Sequence, residues 1–142
     1  MKFKKEPSEL YKIKLFPGAI IDFFDNQNKN LVYKLDTKST TEYGNLDIRL
    51  ENVKQYPVIV QLTTETGVVL ATETADKSPL VRFELILPNK FVVRVIYDTN
   101  KNGKWDTGNF LEKRQPEAVL YFLKTVDVRS NWDVDQPIDL FK

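Results

Sequence analysis

The 142-residue chain contains neither cysteine nor histidine. The absence of cysteine excludes a disulfide framework and a thiolate nucleophile, and the absence of histidine removes the commonest general base and the usual zinc ligand. No apolar run approaches the ~20 residues that a membrane-spanning helix needs. The remaining candidates for catalysis are carboxylates in no distinguishing context. We therefore expect a protein that is not an enzyme and has no transmembrane segment.

Charge and composition narrow the function classes further. The chain has 21 basic and 20 acidic residues, which gives a formal net charge of +1. This balance produces no long-range field to hold a polyanion, so we expect no nucleic-acid partner. Apolar residues make up 42% and aromatic residues 12% of the chain, enough for a hydrophobic core. The length accommodates one ordinary domain, or one domain plus part of another.

Apolar and polar residues alternate with a period of two along most of the chain, as in half-buried strands. Turn compositions such as Pro17-Gly18 and Pro88-Asn89 separate these runs, and no window has a convincing helical stripe. The fold predicted is an all-β, antiparallel sandwich of about seven strands, with extra N-terminal strands. The predicted strands are residues 11–15, 31–35, 46–50, 58–62, 81–87, 91–97, 119–123 and 125–128.

A polar run of small residues at 37–43 predicts a boundary, with one segment at 1–41 and the main domain at 42–142. The first segment has only two or three strands, too few to close a core alone. It either packs on the main domain or is the end of an upstream domain.

Residues 98–109, DTNKNGKWDTGN, carry the one pattern that indicates chemistry. Acid and amide side chains alternate, and a glycine follows them, as in a loop that turns several oxygens toward a calcium ion. The twelve-residue calcium-loop template places its glycine on Gly103. Its ligand positions fall on Asp98, Asn100, Asn102, Lys104 (through the backbone carbonyl), Asp106 and Asn109.

The last ligand position departs from the template, because Asn109 stands where a bidentate glutamate is expected. Glu112 is a nearby acid that could reach in. With two acids in the loop, we expect a weak structural site with a Kd of about 10⁻⁴–10⁻³ M. The alternative is a turn-rich loop whose Asn and Asp side chains cap their own backbone.

Two tryptophans suggest an alternative function. Trp105 lies inside the candidate loop, and Trp132 lies between Asn131 and Asp133. An exposed indole can stack on a sugar ring, so a carbohydrate-binding module is the alternative function; packing at the core or its rim is the ordinary role of such residues.

Two segments resemble known families. Residues 57–109, with GVV, a Leu-Pro turn and FVVRVIYD, resemble a transthyretin-like (prealbumin-like) sandwich, as in carboxypeptidase regulatory domains and adhesin B-repeats. The calcium loop of many such repeats reads D-x-N-x-N-G-x-x-D-x-G, which residues 98–108 match. Residues 9–39, with YKIKLFPGAIID, are similar to the closing strands of a bacterial Ig-like domain.

Together the segments look like the C-terminal part of Ig-like surface lipoproteins of the Bacteroidetes type. This resemblance implies an exported, lipid-anchored parent at the cell surface or in the periplasm, with neighbouring Ig-like domains. It implies a structural or adhesive module with a surface protein or polysaccharide as partner. Residues 1–5 are basic like the start of a signal peptide, but residues 6–9 are not apolar, so we expect no export signal here.

Overall fold

The computed structural model describes residues 6–141. The basic segment 1–5 lies outside these residues. The chain divides between Thr40 and Thr41 into two compact units, which are described separately below. Among residues 6–141 no helix has the length and apolarity needed to cross a membrane.

The first unit contains one antiparallel hairpin. Strand β1 (Leu10–Leu15) pairs with strand β2 (Leu31–Asp36). The connection between them is held by its own polar side chains: Asp22 Oδ1 accepts hydrogen bonds from the backbone N–H groups of Phe24 and Asn26. No residue from 6 to 40 is buried. A hairpin of this kind has no core of its own, and two strands alone are marginally stable in water.

The second unit contains seven strands and one short 3-10 turn, Thr40–Glu42, which begins at the boundary. The strands form two sheets, with the orders β6-β3-β9 and β5-β4-β7-β8. Their bounds are β3 (Gly44–Glu51), β4 (Val58–Thr63), β5 (Val69–Ala75), β6 (Leu80–Ile86), β7 (Asn89–Tyr97), β8 (Val119–Val128) and β9 (Asp133–Asp139).

The core lies between the inward faces of the two sheets. Leu46 and Ile48 of β3 are fully buried, as are Val60 and Leu62 of β4 and Val93 of β7. Their neighbours along each strand lie on the opposite face of the sheet, which in β3 is the alternation visible in the sequence, whereas in β4 the neighbour Ile59 is buried as well. Burial of each such side chain contributes about 1.5–3 kcal/mol.

The prediction of an all-β sandwich is confirmed, and the strand pairing differs from it at one place. Strand β9 runs parallel to β3, with Asn45 opposite Asp133 and Glu51 opposite Asp139. All other pairs of the second unit are antiparallel. The strands β3 and β9 are the first and last of the unit, so this pairing joins distant parts of the chain.

The strand predictions miss two edge strands. Most of β5 is exposed, so no apolar alternation marks it. Strand β9 has the sequence DVDQPID, in which three acids and Pro137 obscure the pattern. The two predicted runs at 119–128 form one strand, β8, with a register shift between its pairings Val126–Phe91 and Phe122–Val93. Residues 112–119, a window too short and too interrupted by Pro116 for a convincing helical stripe, are not helical, and Val119 is the first residue of β8.

Candidate metal-binding loop

The candidate loop leaves the end of β7, a central strand of its sheet. Tyr97 pairs with Val58 of β4, and the next residue, Asp98, donates its backbone N–H to the carbonyl of Pro57 at 3.2 Å. This bond extends the β7–β4 pairing by one residue. The Asp98 side chain is therefore drawn inward and is 1% exposed.

The buried carboxylate of Asp98 organises the first turn of the loop. Its Oδ1 accepts the backbone N–H of Asn102 at 3.1 Å, and its Oδ2 accepts that of Gly103 at 2.8 Å. The chain must fold back sharply to present both groups, and Gly103 has a φ of 74°. This left-handed conformation explains the glycine at this position, because a residue with a Cβ is strained there.

The two asparagines link the loop backbone to a second carboxylate. Asn100 Oδ1 accepts the N–H of Asn102 at 3.2 Å, and Asn102 Oδ1 accepts the N–H of Lys104 at 2.8 Å. Both side-chain amides donate to Asp106 Oδ2, from Asn100 at 2.7 Å and from Asn102 at 2.6 Å. These two bonds, first from Asn100 and then from Asn102, hold the pKa of Asp106 below its ordinary value.

Glu117 is the residue of this site that sequence reasoning missed. Its Oε1 accepts the backbone N–H of Thr99 at 2.7 Å, and its Oε2 accepts that of Asp106 at 3.1 Å. Its backbone carbonyl accepts the indole N–H of Trp105 at 3.2 Å. Glu117 lies just before β8 and thus holds the loop at two places, Thr99 near its start and Asp106 near its end. No local pattern marks it, because it is brought here by the return of the chain to pair with β7.

Asn109, Glu112 and Lys104 are placed differently from the other predicted residues. Asn109 Oδ1 accepts the N–H groups of Leu111 and Glu112, at 3.0 and 3.4 Å, within its own turn. Glu112 forms an ion pair with Arg114 at 3.8 Å. Lys104 donates its backbone N–H to Asn102 Oδ1 within the loop. The structure therefore brings four predicted side chains together, namely Asp98, Asn100, Asn102 and Asp106; the assignment of all six as calcium ligands stays a prediction.

The oxygen donors of the loop are of the type that a hard cation takes, and their low charge predicts a site of low affinity. Among residues 6–141 no group of three or more acidic side chains is arranged to hold a metal ion. An ion at this loop would depend on the Asp98 and Asp106 carboxylates together with amide and carbonyl oxygens, which are calcium's usual ligands. Both oxygens of Asp98 and Oδ1 of Asp106 retain acceptor capacity, because each carboxylate oxygen has two lone pairs and only Asp106 Oδ2 accepts two bonds. These residue types therefore match the oxygen ligands that calcium prefers.

The two tryptophans are both half-exposed and lie far apart. Trp105 is 48% and Trp132 53% exposed. The guanidinium carbon of Arg129 lies 5.2 Å from the centroid of the Trp132 ring, a cation–π contact. Trp105 precedes β8 and Trp132 follows it, and a ten-residue strand spans about 33 Å. The two indoles therefore cannot form one binding platform.

Comparison with known proteins gave no significant match. No protein-family model matches the chain, and neither a curated protein nor a solved structure is significantly similar to it. The function is therefore argued from the residues of the loop and their geometry.

Proposed function

We propose that this chain is a non-enzymatic structural or adhesive module of an exported cell-surface protein, in which the loop at residues 98–109 binds a structural calcium ion. The observation that carries the calcium proposal is the buried carboxylate of Asp98. It lies at the end of a core strand and accepts hydrogen bonds from the N–H groups of Asn102 and Gly103. The cell-surface setting rests on the resemblance to Ig-like surface lipoproteins.

The loop backbone is held by hydrogen bonds to the chain's own side chains. Asp98 fixes its first turn, the amides of Asn100 and Asn102 converge on Asp106, and Glu117 holds both ends. Binding an ion therefore requires little further ordering of the backbone, which favours affinity. In an ion-bound loop, the Asp98 and Asp106 carboxylates would hold the ion together with amide and carbonyl oxygens of the loop.

The ion would have a structural rather than a catalytic role. The loop lies in the connection between β7 and β8, adjacent strands of one sheet. An ion bound to Asp98 and Asp106 would join the end of β7 to the segment leading into β8. Its effect is to stabilise the folded state by mass action, by about 2.7 kcal/mol when free calcium is one hundred times the Kd.

The test is unfolding by urea with calcium and with a chelator. We expect the free energy of unfolding to rise as calcium approaches about 10 mM, given a Kd near the lower end of the weak range. Magnesium should stabilise less, because it demands a stricter octahedral geometry. No increase at any calcium concentration up to that value would rule the site out.

Two variants make the test specific. Asp98→Asn should abolish the rise in the free energy of unfolding that calcium causes. The rise is compared between variants, rather than the stability itself, because the substitution also weakens the turn. Glu112→Gln is the matched control, since Glu112 lies in the same connection but pairs with Arg114. A rise that survives in Asp98→Asn would show that calcium binds elsewhere.

The alternative function is a carbohydrate-binding module. The half-exposed indoles of Trp105 and Trp132 favour it, because each leaves aromatic surface in contact with solvent. Addition of a soluble polysaccharide should then quench tryptophan fluorescence, and Trp105→Phe and Trp132→Phe would identify the platform. Fluorescence that does not respond to any polysaccharide would leave the structural module as the function.

The first unit fits the closing strands of a preceding Ig-like domain. The support is that no residue from 6 to 40 is buried, as expected when the strands that would cover them belong to another part of a parent protein. Residues 42–142 alone should then unfold with the same free energy as the whole chain. A large loss of stability would indicate instead that the first unit packs on the main domain.

A further inference from the structure

The connection between β7 and β8 includes a short hairpin, residues 109–114, whose tip is apolar and exposed. Phe110 is 95% and Leu111 90% exposed, and the two are consecutive. Leaving two large apolar side chains in water is unfavourable, so an exposed apolar pair indicates a surface that meets another apolar phase.

The backbone of this tip is fixed by hydrogen bonds. Asn109 and Arg114 exchange N–H to carbonyl bonds in both directions, each 2.9 Å long. Lys113 donates its N–H to the carbonyl of Phe110 at 3.2 Å. A Cβ added to Gly108 would lie 2.9 Å from the carbonyl oxygen of Arg114, so the base of the tip is also closely packed. The apolar pair is thus held outward by a built hairpin.

Two basic side chains lie in the same hairpin as the apolar pair, while most neighbouring acids accept hydrogen bonds inside the loop. Lys113 and Arg114 follow the apolar pair, and the charges of Arg114 and Lys104 act on the nearby carboxylate of Asp106. The ammonium groups of Lys104 and Lys113 form no ion pair within residues 6–141.

The carboxylates are held by hydrogen-bond donors of the loop. Asp98 and Glu117 each accept two backbone N–H groups, and Asp106 accepts two side-chain amides. Glu112 is the one exposed acid of the tip and is paired with Arg114. The outward charge beside the apolar pair is therefore mainly positive.

We propose that this tip docks on an anionic lipid bilayer, with Phe110 and Leu111 entering the headgroup boundary and Lys113 and Arg114 contacting lipid phosphates. Apolar side chains flanked by cations are the combination that binds such surfaces. A protein partner fits less well, because a standard interface buries about 800 Å² on each side and two side chains on a narrow hairpin offer far less. A bilayer needs no complementary pocket.

This surface goes beyond the calcium site and does not need the ion. The side chains of the apolar pair and of Lys113 and Arg114 are separate from the predicted ligand atoms, so binding should be measurable in chelator. The test is co-sedimentation of the whole chain with vesicles of phosphatidylcholine alone and with vesicles that contain an equal amount of phosphatidylserine. We expect binding to the anionic vesicles that weakens as salt is added.

The apolar variant is Phe110→Ser with Leu111→Ser, which should lower the partition coefficient by at least roughly tenfold. Its matched control is Leu123→Ser, because Leu123 is 94% exposed on β8 and lies outside the tip. The control should bind like the unaltered chain. Both variants replace exposed side chains, and an unchanged thermal unfolding curve checks that each is folded.

The charge variant is Lys113→Gln with Arg114→Gln, which should lower binding to anionic vesicles by about tenfold. Lys90→Gln, at an exposed lysine of β7, is the control. Failure of the unaltered chain to bind anionic vesicles overturns the proposal. So does equal binding to both kinds of vesicle, or undiminished binding by the apolar variant.

Discussion

Asp106 and Glu117 are joined by two reciprocal hydrogen bonds. The N–H of Asp106 donates to Oε2 of Glu117, and the N–H of Glu117 donates to the carbonyl of Asp106, both at 3.1 Å. They are eleven positions apart in the chain. This pair closes the segment between the candidate loop and β8, so the loop and the apolar tip share one fixed base.

Glu117→Ala should destabilise the protein by about 1–3 kcal/mol, because it leaves the N–H groups of Thr99 and Asp106 without their charged acceptor. The measurement is urea unfolding in chelator, which separates this effect from any ion. Glu112→Ala is the control, and its exposed side chain should change stability by no more than ~0.5 kcal/mol. Equal effects of the two substitutions would contradict a special role for Glu117.

Asp47 should make the second unit sensitive to acid. Its carboxylate accepts two bonds from the Arg82 guanidinium, at 2.7 and 2.6 Å, across the β3–β6 pair. The hydrogen bonds from Arg82, aided by its charge, hold the pKa of Asp47 below the ordinary value of 3.8. A lowered folded-state pKa gives stability that is present above the unfolded pKa and is lost as pH falls through the folded one.

Asp47→Asn should therefore flatten the acid limb of stability against pH below about pH 4. The measurement is the urea midpoint at a series of pH values. Asp76→Asn is the comparison, because Asp76 is exposed and forms no ion pair among the described residues. The interpretation fails if the Asp47 and Asp76 variants have the same acid dependence.

Gly44→Ala should destabilise the fold by about 1–3 kcal/mol through overpacking. A Cβ at this residue would lie 2.5 Å from the carbonyl oxygen of Arg129 and 2.6 Å from Cγ1 of Val128. Gly67→Ala is the contrast: its Cβ would meet nothing within 4 Å, but φ is 85°, so only the backbone strain of about 1 kcal/mol applies. Thermal unfolding of both variants compares them, and a larger loss at Gly67 would contradict this ranking.

Tyr97→Phe should leave stability unchanged or raise it by up to ~1 kcal/mol. Among the described residues, the Tyr97 hydroxyl is the one buried side-chain polar atom without a hydrogen-bond partner, and such a group costs desolvation energy. Chemical denaturation measures the change. A loss of more than ~1 kcal/mol would mean that the hydroxyl has a partner in solution, such as a buried water.

Strands with one buried face could be predicted from the sequence. β3 has the alternating apolar residues that the core requires, β4 is a short apolar run buried on both faces, and the structure places both where the pattern indicates. Edge strands could not be predicted in the same way. β5 and β9 bury few side chains, so little apolar alternation marks them in the sequence, and Pro137 is tolerated at a sheet edge.

The residues of the candidate site also differ in whether the sequence could predict them. The positions of Asp98, Asn100, Asn102 and Asp106 could be predicted, because they act within one short turn whose spacing is set by local backbone geometry. Glu117 could not, since nothing near it in the chain indicates which strand end it will meet. Its place depends on β8 returning beside β7.

The sequence by itself determined the strand alternation, the sheet-forming character of the second unit and the turn around Gly103. These are local properties, set by side-chain period and by the conformations that individual residues tolerate. Only the tertiary structure decided the parallel pairing of β3 with β9, the closure of the loop by Glu117 and the exposure of Phe110 and Leu111. Each of these depends on which distant segments meet, and packing of the whole chain sets that.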